Sequence, residues 1–74
     1  MSNKLDLHGV RHNEVSRKVD IFLGEHLMKG SNEVTIITGH SDQMKKIVDN
    51  VLVDYGLTAE YGFLNKAQLI VKLS

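Results

Sequence analysis

Three side chains in this sequence have the types and spacing to act on a substrate. Asp6 and His8 stand two residues apart in Leu5-Asp6-Leu7-His8-Gly9, and His40 lies in Thr38-Gly39-His40-Ser41, just after a β-branched run. In an extended strand alternate side chains share a face. Leu5 and Leu7 then point one way, and Asp6 and His8 the other. The rise along a strand separates such a pair by about 6–7 Å. A carboxylate and an imidazole at that distance can approach one hydrated metal ion or one scissile phosphate. Histidine also passes a proton in either direction near neutral pH, as general acid or general base.

Plainer readings stand beside these. Asp6 can accept from backbone amides of the first turn, and His8 can be a structural turn residue. Thr38-Gly39-His40-Ser41, taken alone, is a generic strand-to-helix turn. His26 falls near an apolar helical stripe and reads as a packed or edge histidine. His12 follows His8 by four residues, but Gly9 between them argues against one helix presenting both to a metal. Lys45 and Lys46, with Asp42 and Asp49 nearby, also read as a solvated helix face.

The elements that must position these groups can be placed from periodicity. Lys4–Leu7 reads as a short first strand. Val15, Val19, Phe22, Leu23 and Leu27 mark one face of an amphipathic helix over His12–Lys29, with Asn13 a candidate cap and Gly30 suited to a left-handed end. Val34–Thr38 is a buried strand by its β-branched composition. Met44, Ile47, Val48, Val51, Leu52 and Tyr55 form the cleanest helical stripe, which Ser41 or Asp42 can cap and Gly56 can end. Leu57–Leu64 and Ala67–Leu73 read as two strands joined by a hairpin turn at Asn65-Lys66.

The order is β-α-β-α-β-β, an α/β two-layer sandwich with a four-stranded mixed sheet. Strand-helix-strand connections this short imply parallel pairing of the first two strands with a right-handed crossover. Both helices are expected on one sheet face, leaving the other partly open, with Ile37 and Ile70 on it. Ligands of such sheets collect at the carboxyl ends of the parallel strands. There the turns Asp6-Leu7-His8-Gly9 and Thr38-Gly39-His40-Ser41 would lie side by side. The second turn feeds a helix N-terminus, whose amides and dipole favour anions. Gly39 would let a phosphate approach the backbone, and Arg11, Lys45 and Lys46 would supply local positive charge.

The whole of residues 1–74 reads as a single domain, with no repeat, linker or low-complexity segment. A domain of this size buries only about 60% of the surface its unfolded chain exposes. Nine basic and nine acidic residues leave a formal net charge of zero. A strong sequence-blind nucleic-acid binder relies on neutralising many phosphates, so binding here must use a local patch. Without cysteine the chain has no disulfide, thiolate metal site or cysteine nucleophile. Neither a signal-like leader nor an apolar run near the roughly 20 residues of a membrane span is present, so a cytoplasmic protein with no membrane partner is expected.

Leu5-Asp6-Leu7-His8-Gly9, followed by a helix, a β-branched strand and Thr38-Gly39-His40, resembles the Smr domain family, and the resemblance runs from Lys4 to Leu73. The first motif matches the family's Leu-Asp-x-His-Gly pattern. In the second, the family's last glycine is replaced by Ser41. The resemblance implies a fold similar to the C-terminal domain of translation initiation factor three, with strand order 1-2-4-3. It also implies DNA-nicking or endoribonuclease activity, often helped by a divalent metal. On matching positions Asp6 and His8 would be the catalytic or metal-binding pair, and Thr38, Gly39 and His40 would form the phosphate-facing loop; Gly9 of the first turn and Ser41 of the second are also candidate phosphate-binding residues. Mg²⁺ or Mn²⁺ at Asp6 is the expected cofactor, with no organic one.

Three functions remain open from the sequence. One is phosphodiester hydrolysis in DNA or RNA, by a metal at Asp6 or, for RNA alone, by His8 and His40 as an acid–base pair. Another is a module that binds structured or single-stranded nucleic acid without turnover. The last is an interaction module, forming a homo-oligomer or holding a partner protein through an open sheet face or edge strand.

Overall fold

The structure, a computed structural model, describes residues 3–61 and 67–73. Its elements follow the expected order: β1 (Lys4–Asp6), α1 (His12–Lys29), β2 (Glu33–Ile37), α2 (Asp42–Asp54), β3 (Ala59–Tyr61) and β4 (Gln68–Lys72). They build a four-stranded sheet in the order β1-β2-β4-β3. β1 and β2 are parallel, with Leu5 opposite Ile36 and Asp6 opposite Ile37. β4 runs antiparallel to both β2 and β3. The fold is the α/β two-layer sandwich that the sequence implies.

Alternation along the strands decides which residues enter the core. Val34, Ile36, Leu69 and Val71 are fully buried on one face, joined by Leu7 just past the end of β1. Against them pack Val15, Val19, Phe22 and Leu23 of α1 and Met44, Val48, Val51 and Leu52 of α2, in a single cluster. One cluster containing residues of both helices and one sheet face puts both helices on that face. Thr35, Ile37, Gln68 and Ile70 lie on the opposite face and stay only half-buried. Each fully buried Val, Leu or Ile contributes about 1.5–3 kcal/mol of transfer free energy, so this cluster is what holds the two layers together.

The helix ends explain most departures from expectation. Arg11, not Asn13, is the N-cap of α1, and it makes no side-chain cap hydrogen bond. Asn13 falls inside the first turn. Leu27 is 39% exposed, so it leaves the core stripe, while His26 is buried in its place. Its Nδ1 lies 2.9 Å from Ser31 Oγ, which satisfies a polar atom that burial alone would penalise, and its ring meets Phe22 edge-on at 4.6 Å. Gly30, at φ 74°, closes α1 in the left-handed conformation.

α2 begins as expected, with Ser41 Oγ accepting from the Met44 amide. At its other end the Leu57 amide donates to the Leu52 carbonyl. Leu57 therefore belongs to the helix terminus rather than to β3, which starts only at Ala59. The apolar residue after a glycine stop reads as strand by composition but caps the helix by hydrogen bonding. The rest of the expected third strand and the Asn65-Lys66 turn lie outside the described residues.

Candidate functional site

The parallel register places the two chemistry-bearing turns at one end of the sheet. The ladder continues past β1, because the Leu7 amide donates to the Ile37 carbonyl at 2.8 Å. Both strands then leave the sheet at the same level, one into α1 and the other into α2. Both helix N-termini consequently emerge at this end, and their dipoles favour negative charge there.

The first turn is fixed by Asp6. Its Oδ1 accepts from the His8 amide at 2.9 Å, and the Val10 amide donates to the Leu7 carbonyl at 3.0 Å. Gly9 takes φ 79°, a conformation that costs an L-residue roughly 1–2 kcal/mol. The carboxylate thus sets the direction of the backbone that carries His8. Asp6, His8, Gly9 and Arg11 are all exposed. The structure brings Asp6 and His8 together through the backbone of the histidine.

The second turn hangs on β4. Thr38 is only 3% exposed. Its amide donates to the Ala67 carbonyl at 2.8 Å, and the Gly39 amide donates to the same oxygen at 3.1 Å. The Thr38 hydroxyl donates to the Gly39 carbonyl at 2.9 Å. Thr38 therefore holds the loop from inside, and the Gly39 amide is already engaged. Gly39 carries the positive φ of this turn, 70°, whereas Ser41 sits at φ −76° and ψ 113°. The position where the family pattern has its last glycine is thus extended backbone that serine adopts readily, and the serine adds a cap.

The outward-facing groups are few. His40 and Lys46 are exposed, and Lys45 is half-buried. What sequence reasoning missed is the Ala67 carbonyl, a backbone acceptor 29 residues beyond Thr38. No side-chain type signals it; only the antiparallel pairing of β2 with β4 brings it there.

For a divalent ion the site offers a single carboxylate and no all-protein cage among the described residues, so an ion at Asp6 would keep most of its waters and lean on the substrate phosphate. Asp6 supplies one carboxylate, half of it engaged by the His8 amide, and no group of three His, Asp or Glu side chains with metal-binding geometry occurs among the described residues. Mg²⁺ takes near-octahedral oxygen ligation, of which a single carboxylate provides a small part and waters and substrate phosphate the rest. Concave space lies elsewhere too. A groove of about 510 Å³ runs between Ser16, Arg17 and Asp20 of α1 and Val51 and Asp54 of α2 with its C-cap Tyr55. A polymer backbone does not need such a pocket, since phosphates are met by exposed Arg and Lys side chains, backbone amides and helix N-termini.

A small two-layer α/β module, with its exposed imidazoles at the ends of two parallel strands, is the class that fold and site define. The family model for the Smr domain matches residues 5–68 of the 74-residue chain, and the chain belongs to the Smr domain family. That family is linked to nuclease and nucleic-acid-binding activity. No curated protein and no solved structure gives a significant match. Among the described residues, no helix is long and apolar enough to cross a membrane.

Proposed function

We propose that this domain is a nucleic-acid endonuclease that cleaves a phosphodiester bond at the end of β1 and β2. The observation that carries the reading is the register of these two strands, which sets the Asp6–His8 turn beside the turn bearing His40. His8 and His40 are the proton-transfer groups, and Asp6 orients the backbone under His8. Arg11, Lys46 and the N-terminus of α2 offset charge on the phosphate as it builds up.

Of DNA and RNA, the donor set favours RNA. An RNA strand brings its own nucleophile. One imidazole takes the proton of the 2′-hydroxyl, the 2′-oxygen bonds to phosphorus, and the bond to the 5′-oxygen breaks. The second imidazole donates a proton to that leaving oxygen, so the products are a 2′,3′-cyclic phosphate and a free 5′-hydroxyl. DNA lacks the 2′-hydroxyl and would need an activated water, for which this site offers one partly engaged carboxylate.

The test is cleavage of supercoiled DNA and of mixed-sequence RNA by wild type, His8→Ala and His40→Ala, in Mg²⁺, Mn²⁺ and EDTA. We expect RNA cleavage that persists in EDTA and leaves cyclic-phosphate ends. Each substitution should lower the rate by about 10²–10⁴-fold, the usual worth of general acid–base catalysis, with the circular dichroism spectrum unchanged. Cleavage equal in all three proteins would overturn the reading. A second reading, binding without turnover, draws on the structural engagement of Asp6. Retained RNA affinity with no cleavage by wild type would establish it.

A further inference from the structure

We propose that the outer side of α1 is a self-complementary interface through which two copies of this chain associate about a two-fold axis. Glu14, Lys18, Ile21, Glu25 and Met28 follow one another at intervals of four, three, four and three residues, and all five are exposed. That spacing draws a single seam along a helix, the pattern by which helices meet side by side. The seam carries apolar surface that this copy leaves uncovered: Ile21 is 52% exposed and Met28 90%. Beside it a shallow groove of about 270 Å³ is lined by Leu5, Lys18, Ile21, Phe22 and Glu25. Leu5 belongs to β1, an edge strand of the sheet, so the apolar strip continues from the helix onto the sheet edge.

Charge complementarity identifies the occupant as a second copy. Lys18 and Glu25 flank Ile21, one turn to either side. An antiparallel α1 from a partner, with the axis beside Ile21, sets each Lys18 against the other copy's Glu25. One patch thereby makes two identical ion pairs around a central Ile21–Ile21 contact, as an isologous interface requires. Among the described residues neither Lys18 nor Glu25 makes an ion pair within its own chain, so both charges are available. The net charge of zero removes overall repulsion between copies. The patch uses no residue of the turns after β1 and β2, and the inference does not depend on what those turns do.

The test is sedimentation equilibrium of the full chain over about 1 µM to 1 mM, with Lys18→Glu, Glu25→Lys, the double variant and an equimolar mixture of the two singles. We expect wild type to pass from the 8.3 kDa monomer to twice that mass within this range. Each single substitution puts like charges together in both pairs and should weaken self-association at least tenfold. The mixture should form a mixed dimer, since every pair is then opposite in sign, and the double variant should self-associate like wild type. Recovery in the mixture also shows that the singles are folded. Wild type that stays monomeric to the top of the range, dimers indifferent to these substitutions, or a mixture that does not associate would each overturn the proposal, and the first of these would leave a heterologous partner as the occupant of the seam.

Discussion

A carboxylate two residues before a histidine can act on a substrate or on the chain that carries it. In this protein Asp6 Oδ1 accepts from the His8 amide, so the carboxylate has a positional role. The amide oxygen of asparagine can accept the same bond without the charge. We therefore expect Asp6→Asn to keep most of the thermal stability, and Asp6→Ala to lose about 1 kcal/mol, the usual worth of such a bond. If Asp6 serves only to aim His8, RNA cleavage by Asp6→Asn should stay within a few-fold of wild type. A loss as large as that of His8→Ala would assign the carboxylate a direct part in the reaction. How far this site was legible follows from the same chemistry. Alternation sets Asp6 and His8 on one face only while the strand lasts; β1 ends at Asp6, His8 lies in the turn, and the link between them is the His8 amide. Thr38 was legible as part of the second turn, but not as its inner anchor. Its role depends on the carbonyls of Gly39 and Ala67, and backbone acceptors leave no mark on residue types. Ser41 is the converse case, where family analogy pointed to a glycine and the extended backbone of the position needs none.

The helices were read correctly as elements because their apolar residues recur at helical spacing over three or more turns, a signal that local noise cannot erase. Strand boundaries were read less well. β3 is only three residues long, and Leu57, apolar and just past Gly56, looks like strand until its amide is seen to cap α2. Short connections imply that β1 pairs with β2 and β3 with β4, but the adjacency of β2 and β4 follows no local pattern, and only the family resemblance implies it. Two tests belong to this scale. Ser41 caps α2 through the Met44 amide, so Ser41→Ala should cost about 1 kcal/mol in urea unfolding and Ser41→Gly only a few tenths. The second concerns how α1 and α2 are tied. The Tyr55 hydroxyl, at the end of α2, donates to the Asp20 carboxylate on α1. That hydrogen bond, then partial burial and the nearby negative charge, raise the phenol above its usual pKa of 10.0. A group whose pKa is raised on folding stabilises the fold fully below its unfolded pKa and loses that contribution as pH rises through the folded value. Tyr55→Phe should thus lower stability by about 1 kcal/mol or less at pH 7. The gap between variant and wild type should shrink only above about pH 10. A gap that closes below pH 9 would assign it to some other group.

At the scale of the whole molecule the controlling fact is the absence of net charge. Nucleic-acid binders of high net charge gain affinity by releasing condensed counterions, and their affinity collapses as salt rises. Here the balanced charges leave only a local patch. Arg11 and Lys46 are exposed beside the two turns, while Lys45 is half-buried and has a hydrogen-bond or charge partner in the chain. Such a patch can neutralise about two or three phosphates. For a single strand each neutralised phosphate adds about −0.7 to the slope of log K against log salt concentration. The expected slope is thus about −1.4 to −2, and a rise from 50 to 200 mM salt should weaken binding only about tenfold. Fluorescence anisotropy with a labelled single-stranded RNA measures this directly. Arg11→Ala and Lys46→Ala should each reduce the slope by about 0.7, and both together should leave it between about zero and −0.7. A slope steeper than about −4 would mean that the strand is held over a much larger surface than these two turns provide. The docking path would then have to be sought along the open sheet face, which carries Lys4 of β1 and Lys72 of β4 beside half-buried Thr35, Ile37, Gln68 and Ile70.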